Sequence, residues 1–410
     1  MFRKKSVFVF VLSLGLFVFS ADGHAQTIKD KFAKPMPEIE MTTIADFKSK
    51  SKEVELDSKR APELGFYIRV PDGWTETTKS GIESDIGQKV LSELKSFYGP
   101  ANLYAPRSRI TVEAVELDYD FTAERWFIQY LLANGYNING LDSSDPMKAD
   151  ALYVYIKDSV SYAARARAIV NGTKVLFAQY HIPIERYQEE KVNMAHVINS
   201  FDIKRHVEDT VEDMEKYQFL DIAEFDYPTS WKLRSLPIRS IDRMKVELFN
   251  IREIDSGWYG EKEQRLDGQI DVNLVSIFAS DTLEDEFENF KGEIEGKGLS
   301  MGEVLEERDD FLFTDDFDFV DTKVYSVTGQ QGNMVEHELW VTIMLAEEYY
   351  YFVTLFTPSR DHDYFLWARN VESYKLVTRN LKPQKDILSS GAVDTSAIGS
   401  GGSDEDDQEE

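Results

Sequence analysis

The feature that most constrains this chain is one pattern of elements written twice. The first copy opens with Gly65-Phe-Tyr-Ile-Arg-Val-Pro-Asp-Gly-Trp74, the second with Phe219-Leu-Asp-Ile-Ala-Glu-Phe-Asp-Tyr-Pro-Thr-Ser-Trp231. Each reads as a short strand, a proline-containing turn and a tryptophan. Alternating segments follow, Arg109-Ile-Thr-Val-Glu-Ala-Val-Glu-Leu117 and Ile270-Asp-Val-Asn-Leu-Val-Ser-Ile277. Apolar residues at every second position mark half-buried strands. Each copy then predicts a helix. In the first, Thr122 is the N-cap, Trp126, Phe127, Tyr130 and Leu131 recur at helical spacing, and Gly135 is the stop. In the second, Thr282 stands three residues before Asp285, Phe287, Phe290 and Ile294 form the stripe, and Gly296 or Gly298 ends it.

The later elements also match. Lys174-Val-Leu-Phe-Ala-Gln-Tyr-His-Ile-Pro183 aligns with Tyr349-Tyr-Tyr-Phe-Val-Thr-Leu-Phe-Thr-Pro358, and Asn171-Gly172 before the first is a tight-hairpin signal. Closing helices carry Met194, Val197, Ile198 and Phe201 in one copy, and Tyr364, Trp367, Ala368 and Val371 in the other. The offset grows from 157 at the tryptophans to 175 at the prolines, so the second copy holds insertions, including the acidic stretch Asp309–Asp321. Repeats this long are whole domains and not solenoid units. An extra helix is expected over Ser84–Phe97, where Ile86, Val90, Leu91, Leu94 and Phe97 would share a face, and the join between copies near Lys204–Lys216.

The ends differ in kind. Arg3, Lys4 and Lys5 precede an apolar run of 13 residues, Val7–Phe19, with Gly23 and Ala25 at a candidate cut. That is the layout of a secretory signal peptide, and the run is shorter than the roughly 20 residues that span a bilayer. Residues 1–25 are therefore expected to be a signal peptide, with no transmembrane segment in the mature chain and a periplasmic or secreted destination. Residues 26–60 read as a polar leader or linker with at most one short helix. Residues 389–410, ending Asp404-Glu-Asp-Asp-Gln-Glu-Glu410, read as a disordered acidic tail. The net charge of −28 excludes nucleic acid as a partner, since phosphate binding draws on Lys and Arg in excess, and disfavours anionic lipid surfaces. The absence of cysteine removes disulfides, thiolate metal sites and cysteine nucleophiles.

The order of strand, proline turn, tryptophan, strands, helix, hairpins and final helix resembles the PsbP/Mog-like superfamily, which includes DcrB-type bacterial envelope proteins. The residues that carry it are Phe66–Trp74, the helix Ala123–Gly135 and the ending His196-Val-Ile-Asn-Ser-Phe201; Tyr227–Trp231 and Pro358–Leu381 match more loosely. The resemblance implies an α+β chain of two tandem α/β/α sandwich domains, residues 61–205 and 217–383, each a mostly antiparallel sheet flanked by helices. It implies binding or supporting roles and carries over no catalytic residue.

The residues themselves offer little chemistry. There is no HExxH, GxSxG, P-loop or GxGxxG. In a strand, Glu336 and Glu338 would share a face with His337 pointing away, which breaks up a local acid–base group. Asp315, Asp316, Asp318 and Asp321 are the candidate calcium ligands, but they lack the glycine that turns an EF-hand loop. Trp74 and Trp231 are expected as core anchors. Tyr349, Tyr350 and Tyr351 place aromatics on both faces of one strand, so one face is a candidate partner-binding surface. The sequence thus points to a non-enzymatic exported protein-binding or accessory protein of the bacterial envelope that uses a composite two-domain surface, with no cofactor and a basic partner favoured by charge. The alternative is a calcium- or small-ligand-binding periplasmic module.

Overall fold

The computed structural model describes residues 28–77, 85–86, 89–101, 106–255, 262–279, 282–308, 316–329 and 336–384. The expected signal peptide and acidic tail lie outside the described residues. In chain order the first half contains α1 (Ile28–Phe32), α2 (Ile44–Ser49), β1 (Ser51–Leu56), β2 (Phe66–Pro71), β3 (Thr75–Glu76), β4 (Asp85–Ile86), β5 (Lys89–Val90), β6 (Ser92–Tyr98), β7 (Arg109–Glu116), α3 (Ala123–Ala133), β8 (Asn137–Asp145), β9 (Lys148–Lys157), β10 (Val160–Asn171), β11 (Lys174–Pro183), α4 (Tyr187–Asn199) and β12 (Asp202–Ile203). The second half contains β13 (Met214–Phe219), β14 (Ala223–Pro228), β15 (Lys232–Ser235), β16 (Arg243–Asp255), β17 (Lys262–Ser276), α5 (Leu283–Gly296), β18 (Leu299–Arg308), β19 (Phe319–Gly329), β20 (His337–Ala346), β21 (Tyr349–Pro358), α6 (Tyr364–Asn380) and β22 (Lys382–Pro383).

The chain is an α+β protein of two such units. Each holds a seven-stranded antiparallel sheet, ordered β3-β6-β7-β11-β10-β9-β8 in one and β15-β16-β17-β21-β20-β19-β18 in the other. Each also holds a three-stranded sheet, β1-β2-β12 and β13-β14-β22, so the same strand order occurs twice. Local chemistry sets the helix ends. Thr122 caps α3 by accepting from the Arg125 amide, Thr282 caps α5 by accepting from Asp285, and Gly135 and Gly298 take φ of +64° and +78° just beyond these helices.

Helices cover both faces of each large sheet. In the first half α3 sends Trp126, Phe127, Tyr130 and Leu131 onto one face, while α4 and the small sheet bury Met194, Val197, Ile198, Phe66 and Ile68 on the other. In the second half α6 buries Trp367, Val371 and Tyr374, and α5 packs Phe287, Phe290 and Ile294 on the opposite face. Trp74 and Trp231 are both buried, Trp74 edge-on to Tyr180 at 5.1 Å.

Two segments depart from expectation. Ser92–Tyr98, within the expected helix, is a strand paired with β7. The segment 26–60 carries α1, α2 and β1, and β1 pairs along its whole length with β2. Its middle crosses β8 as a strap: the Leu141 amide donates to the Lys34 carbonyl at 2.8 Å. Gly140 lets it pass, because a Cβ there would stand 2.9 Å from the Met36 Cα. Phe47 of α2 stacks on His196 of α4 with ring centroids 4.8 Å apart.

Candidate binding site at the junction of the two halves

The halves meet through helices that are not counterparts. By strand order α3 corresponds to α5 and α4 to α6, yet α3 faces α6. The contact is therefore head-to-tail, and each half presents a different face. Tyr119 and Phe121, just before α3, pack on Phe365 at 6.1 and 5.9 Å between ring centroids. The Arg369 guanidinium lies 3.7 Å from the centre of the Tyr119 ring.

Arg125 and Arg360 organise the centre. Arg125, buried on α3, donates to the Ala368 carbonyl at 3.1 Å, pairs with Glu372, and lies 5.0 Å from the centre of the Trp367 ring. Arg360, between β21 and α6, lies 4.6 Å from the same ring, so the indole contacts two guanidinium groups. Its Nε1 donates to Glu338 at 2.7 Å. Glu338 is only 2% exposed and also accepts from Trp340 Nε1 at 3.1 Å and Arg360 Nε at 2.9 Å. A buried carboxylate is tolerable when donors saturate it in this way. Burial draws the Arg360 guanidinium downward, but the hydrogen bonds and charges of Glu338 and Glu306 outweigh that and raise it.

Above this layer lies a cleft of about 800 Å³. Ile28, Phe32, Ala33, Ile128 and Pro146 line it from the first half and its strap, and Arg308, Arg360, Tyr364, Lys375 and Arg379 from the second. The Ile28 amide donates to Asp361 at 2.6 Å and ties the strap to the second half. Five cations and three carboxylates line the cleft, the reverse of the balance in a chain of net charge −28.

The residues singled out in the sequence lie elsewhere. Tyr351 is buried, 1% exposed, in the core beneath α6, with Phe317 against it at 5.4 Å. Tyr349 is half-buried on that face, and Tyr350 is half-buried on the opposite face against the α5 core. The large sheet is covered on both sides, so Tyr351 offers no surface to a partner, while Tyr349 and Tyr350 stay partly exposed on opposite faces. Asp315 lies outside the described residues. Asp321 pairs with Lys323 at 3.2 Å, and the Asp318 amide donates to the Leu345 carbonyl. Among the described residues no three His, Cys, Asp or Glu side chains gather around a common point. His337 turns away from Glu338, as strand geometry required, and stacks on Phe356 at 4.5 Å. The one sequence signal for the junction was Glu338 itself, a charge on the strand face that also carries Trp340, Thr342 and Met344.

No known family model matches the sequence, and no curated protein matches it. Among solved structures, the chain is similar to the Ran-binding protein Mog1p of Saccharomyces cerevisiae, with 13% identity and a TM-score of 0.29 over 42% of this chain and 97% of that one. The cyanobacterial PsbP of Synechocystis sp. PCC 6803 gives 15% identity and a TM-score of 0.28 over 41% and 98%. LpqN of Mycobacterium tuberculosis, described as involved in cell envelope biogenesis, gives 13% identity and a TM-score of 0.27 over 40% and 99%. Scores this low assign no family. No helix among the described residues is long and apolar enough to cross a membrane.

Proposed function

We propose that this chain is an exported, non-enzymatic binding or accessory protein of the bacterial envelope, whose working surface is the junction of its halves. We read the halves as tandem copies of a PsbP/Mog-like domain, residues 61–205 and 217–383; the repeated strand order supports this. The observation that carries the functional reading is the cleft. Side chains from both halves converge there, and its charge is opposite to that of the rest of the chain. The acidic exterior favours encounter with a basic protein partner, while the cleft favours an anionic group. Affinity capture of the tagged protein from envelopes tests the reading. One stoichiometric partner is expected with the wild type and is lost with Arg379→Glu, whose side chain is exposed at the cleft. Retention of the same partner by the variant would place the working surface elsewhere.

A further inference from the structure

We propose that the cleft binds a single-chain anionic amphiphile, a molecule with an apolar body and a carboxylate or phosphate head. The inference rests on the junction being the working surface and names the class of ligand it takes.

The cleft's size is in range: about 800 Å³, where small-molecule sites run from roughly 300 to 1,000 Å³. Its lining is divided. The first half and its strap contribute the apolar Ile28, Phe32, Ala33, Ile128 and Pro146, beside the polar Thr122, Glu124, Arg125 and Ser143. The second half contributes Arg308, Arg360, Lys375 and Arg379 against Glu306 and Glu372, an excess of positive charge on that side. An inorganic anion would leave the apolar side chains unused, and a neutral amphiphile the excess cations. A molecule that bears both an apolar body and a negative head uses both.

Holding the fold together accounts for part of the positive charge. Arg125 is engaged with Glu372, Arg360 with Glu338 and Glu306, and Arg308 with Glu306. Arg379 is different: it is exposed, lines the cleft and makes no ion pair among the described residues. A guanidinium presents forked donors that fit carboxylate or phosphate oxygens. The net charge of −28 does not forbid an anion here, because charges beyond a Debye length of about 8–10 Å are largely screened and the local cations govern. The tie between the Ile28 amide and Asp361 bounds the cleft on one side.

The test is titration calorimetry on the full chain with dodecanoate, dodecyl phosphate, dodecyl maltoside and inorganic phosphate, each below any micelle concentration at neutral pH. Either anionic amphiphile is expected to bind one to one, and the tighter of the two names the head group. Maltoside and inorganic phosphate should bind at least about tenfold more weakly, since each lacks half of the recognition. Arg379→Glu removes the head contact and Ala33→Glu spoils the apolar wall; both positions are exposed, so circular dichroism should show the fold retained. Each should weaken dodecanoate by about tenfold or more. Equal binding of dodecanoate and maltoside, no binding of either anion at millimolar concentration, or unchanged affinity in Arg379→Glu overturns the proposal. A partner captured at the junction without amphiphile binding rejects this ligand and leaves the accessory reading intact; amphiphile binding without a captured partner does the reverse.

Discussion

Replacing Glu113 by glutamine should make the protein more stable at neutral and alkaline pH while leaving it nearly unchanged in mild acid. Glu113 sits on β7 beneath α3, 5% exposed. Gln179 Nε2 donates to it at 2.6 Å, and Gln179 Oε1 accepts from Tyr153 at 2.5 Å and Tyr130 at 3.2 Å. Burial, opposed by Arg109 and the Gln179 hydrogen bond, pushes the carboxyl from 4.5 up to about 7. The folded state therefore holds this proton between pH 4.5 and 7, where the unfolded chain has released it. Stability from this group is complete below pH 4.5, falls as pH rises through that window and is fully lost above 7. At about 1.36 kcal/mol per pH unit, ionised Glu113 costs the folded state about 3 kcal/mol above pH 7. Glutamine keeps an acceptor for Gln179 and cannot ionise. Urea denaturation of wild type and Glu113→Gln at pH 4.5 to 8.5 isolates the group, because every other titration cancels in the difference. The difference should be near zero at the acid end and grow to about 3 kcal/mol in favour of the variant. A difference that stays flat from pH 5 to 8 would refute the argument.

Other consequences follow from single contacts. Arg360→Met leaves Glu338 buried without its cation and should cost about 3–5 kcal/mol in denaturant unfolding, with part recovered in the double variant Arg360→Met/Glu338→Gln. Gly268→Ala drives a Cβ to 2.5 Å from Nδ2 of the fully buried Asn370, whose bonds to Asn250, Asp267 and Thr357 would break; a loss of about 1–3 kcal/mol or more is expected. Gly292→Ala, exposed on α5 with nothing within 4 Å, should instead stabilise by about 0.5–1 kcal/mol, and the opposite signs are read from one pair of melting curves. Millimolar calcium should leave the melting temperature unchanged, because the Asp321 carboxylate is already paired with Lys323; a concentration-dependent rise would restore a calcium site in the acidic insertion.

Much of the fold was legible where local chemistry decides. The caps at Thr122 and Thr282, the glycines after α3 and α5, and the alternation in β7 and β17 follow from residue type and spacing. The expected helix over Ser84–Phe97 failed for a definite reason. β6 carries a bulge between Glu93 and Lys95, which breaks the period of two and leaves Leu91, Leu94 and Phe97 at spacings that mimic a helical face. The strap was illegible because its anchoring apolar residues, Phe32, Met36 and Phe47, are too widely spaced to read as a stripe, and backbone bonding and Gly140 set its course between them. The burial of Tyr351 was not legible because a sequence does not state which sides of a sheet are covered. The junction hid for another reason: Arg125 and Glu372 lie far apart in sequence, and cations that line a cleft look like any surface cations until the halves are docked.

Site-specific photocrosslinking in living cells tests the junction most directly. A photoreactive residue at Arg379, exposed at the cleft, is compared with one at Ile156, which is 75% exposed at the far end of β9. One abundant crosslinked envelope species is expected from Arg379 and none from Ile156. The same species from both positions, or capture from Ile156 alone, would contradict a working surface at the junction of the two halves.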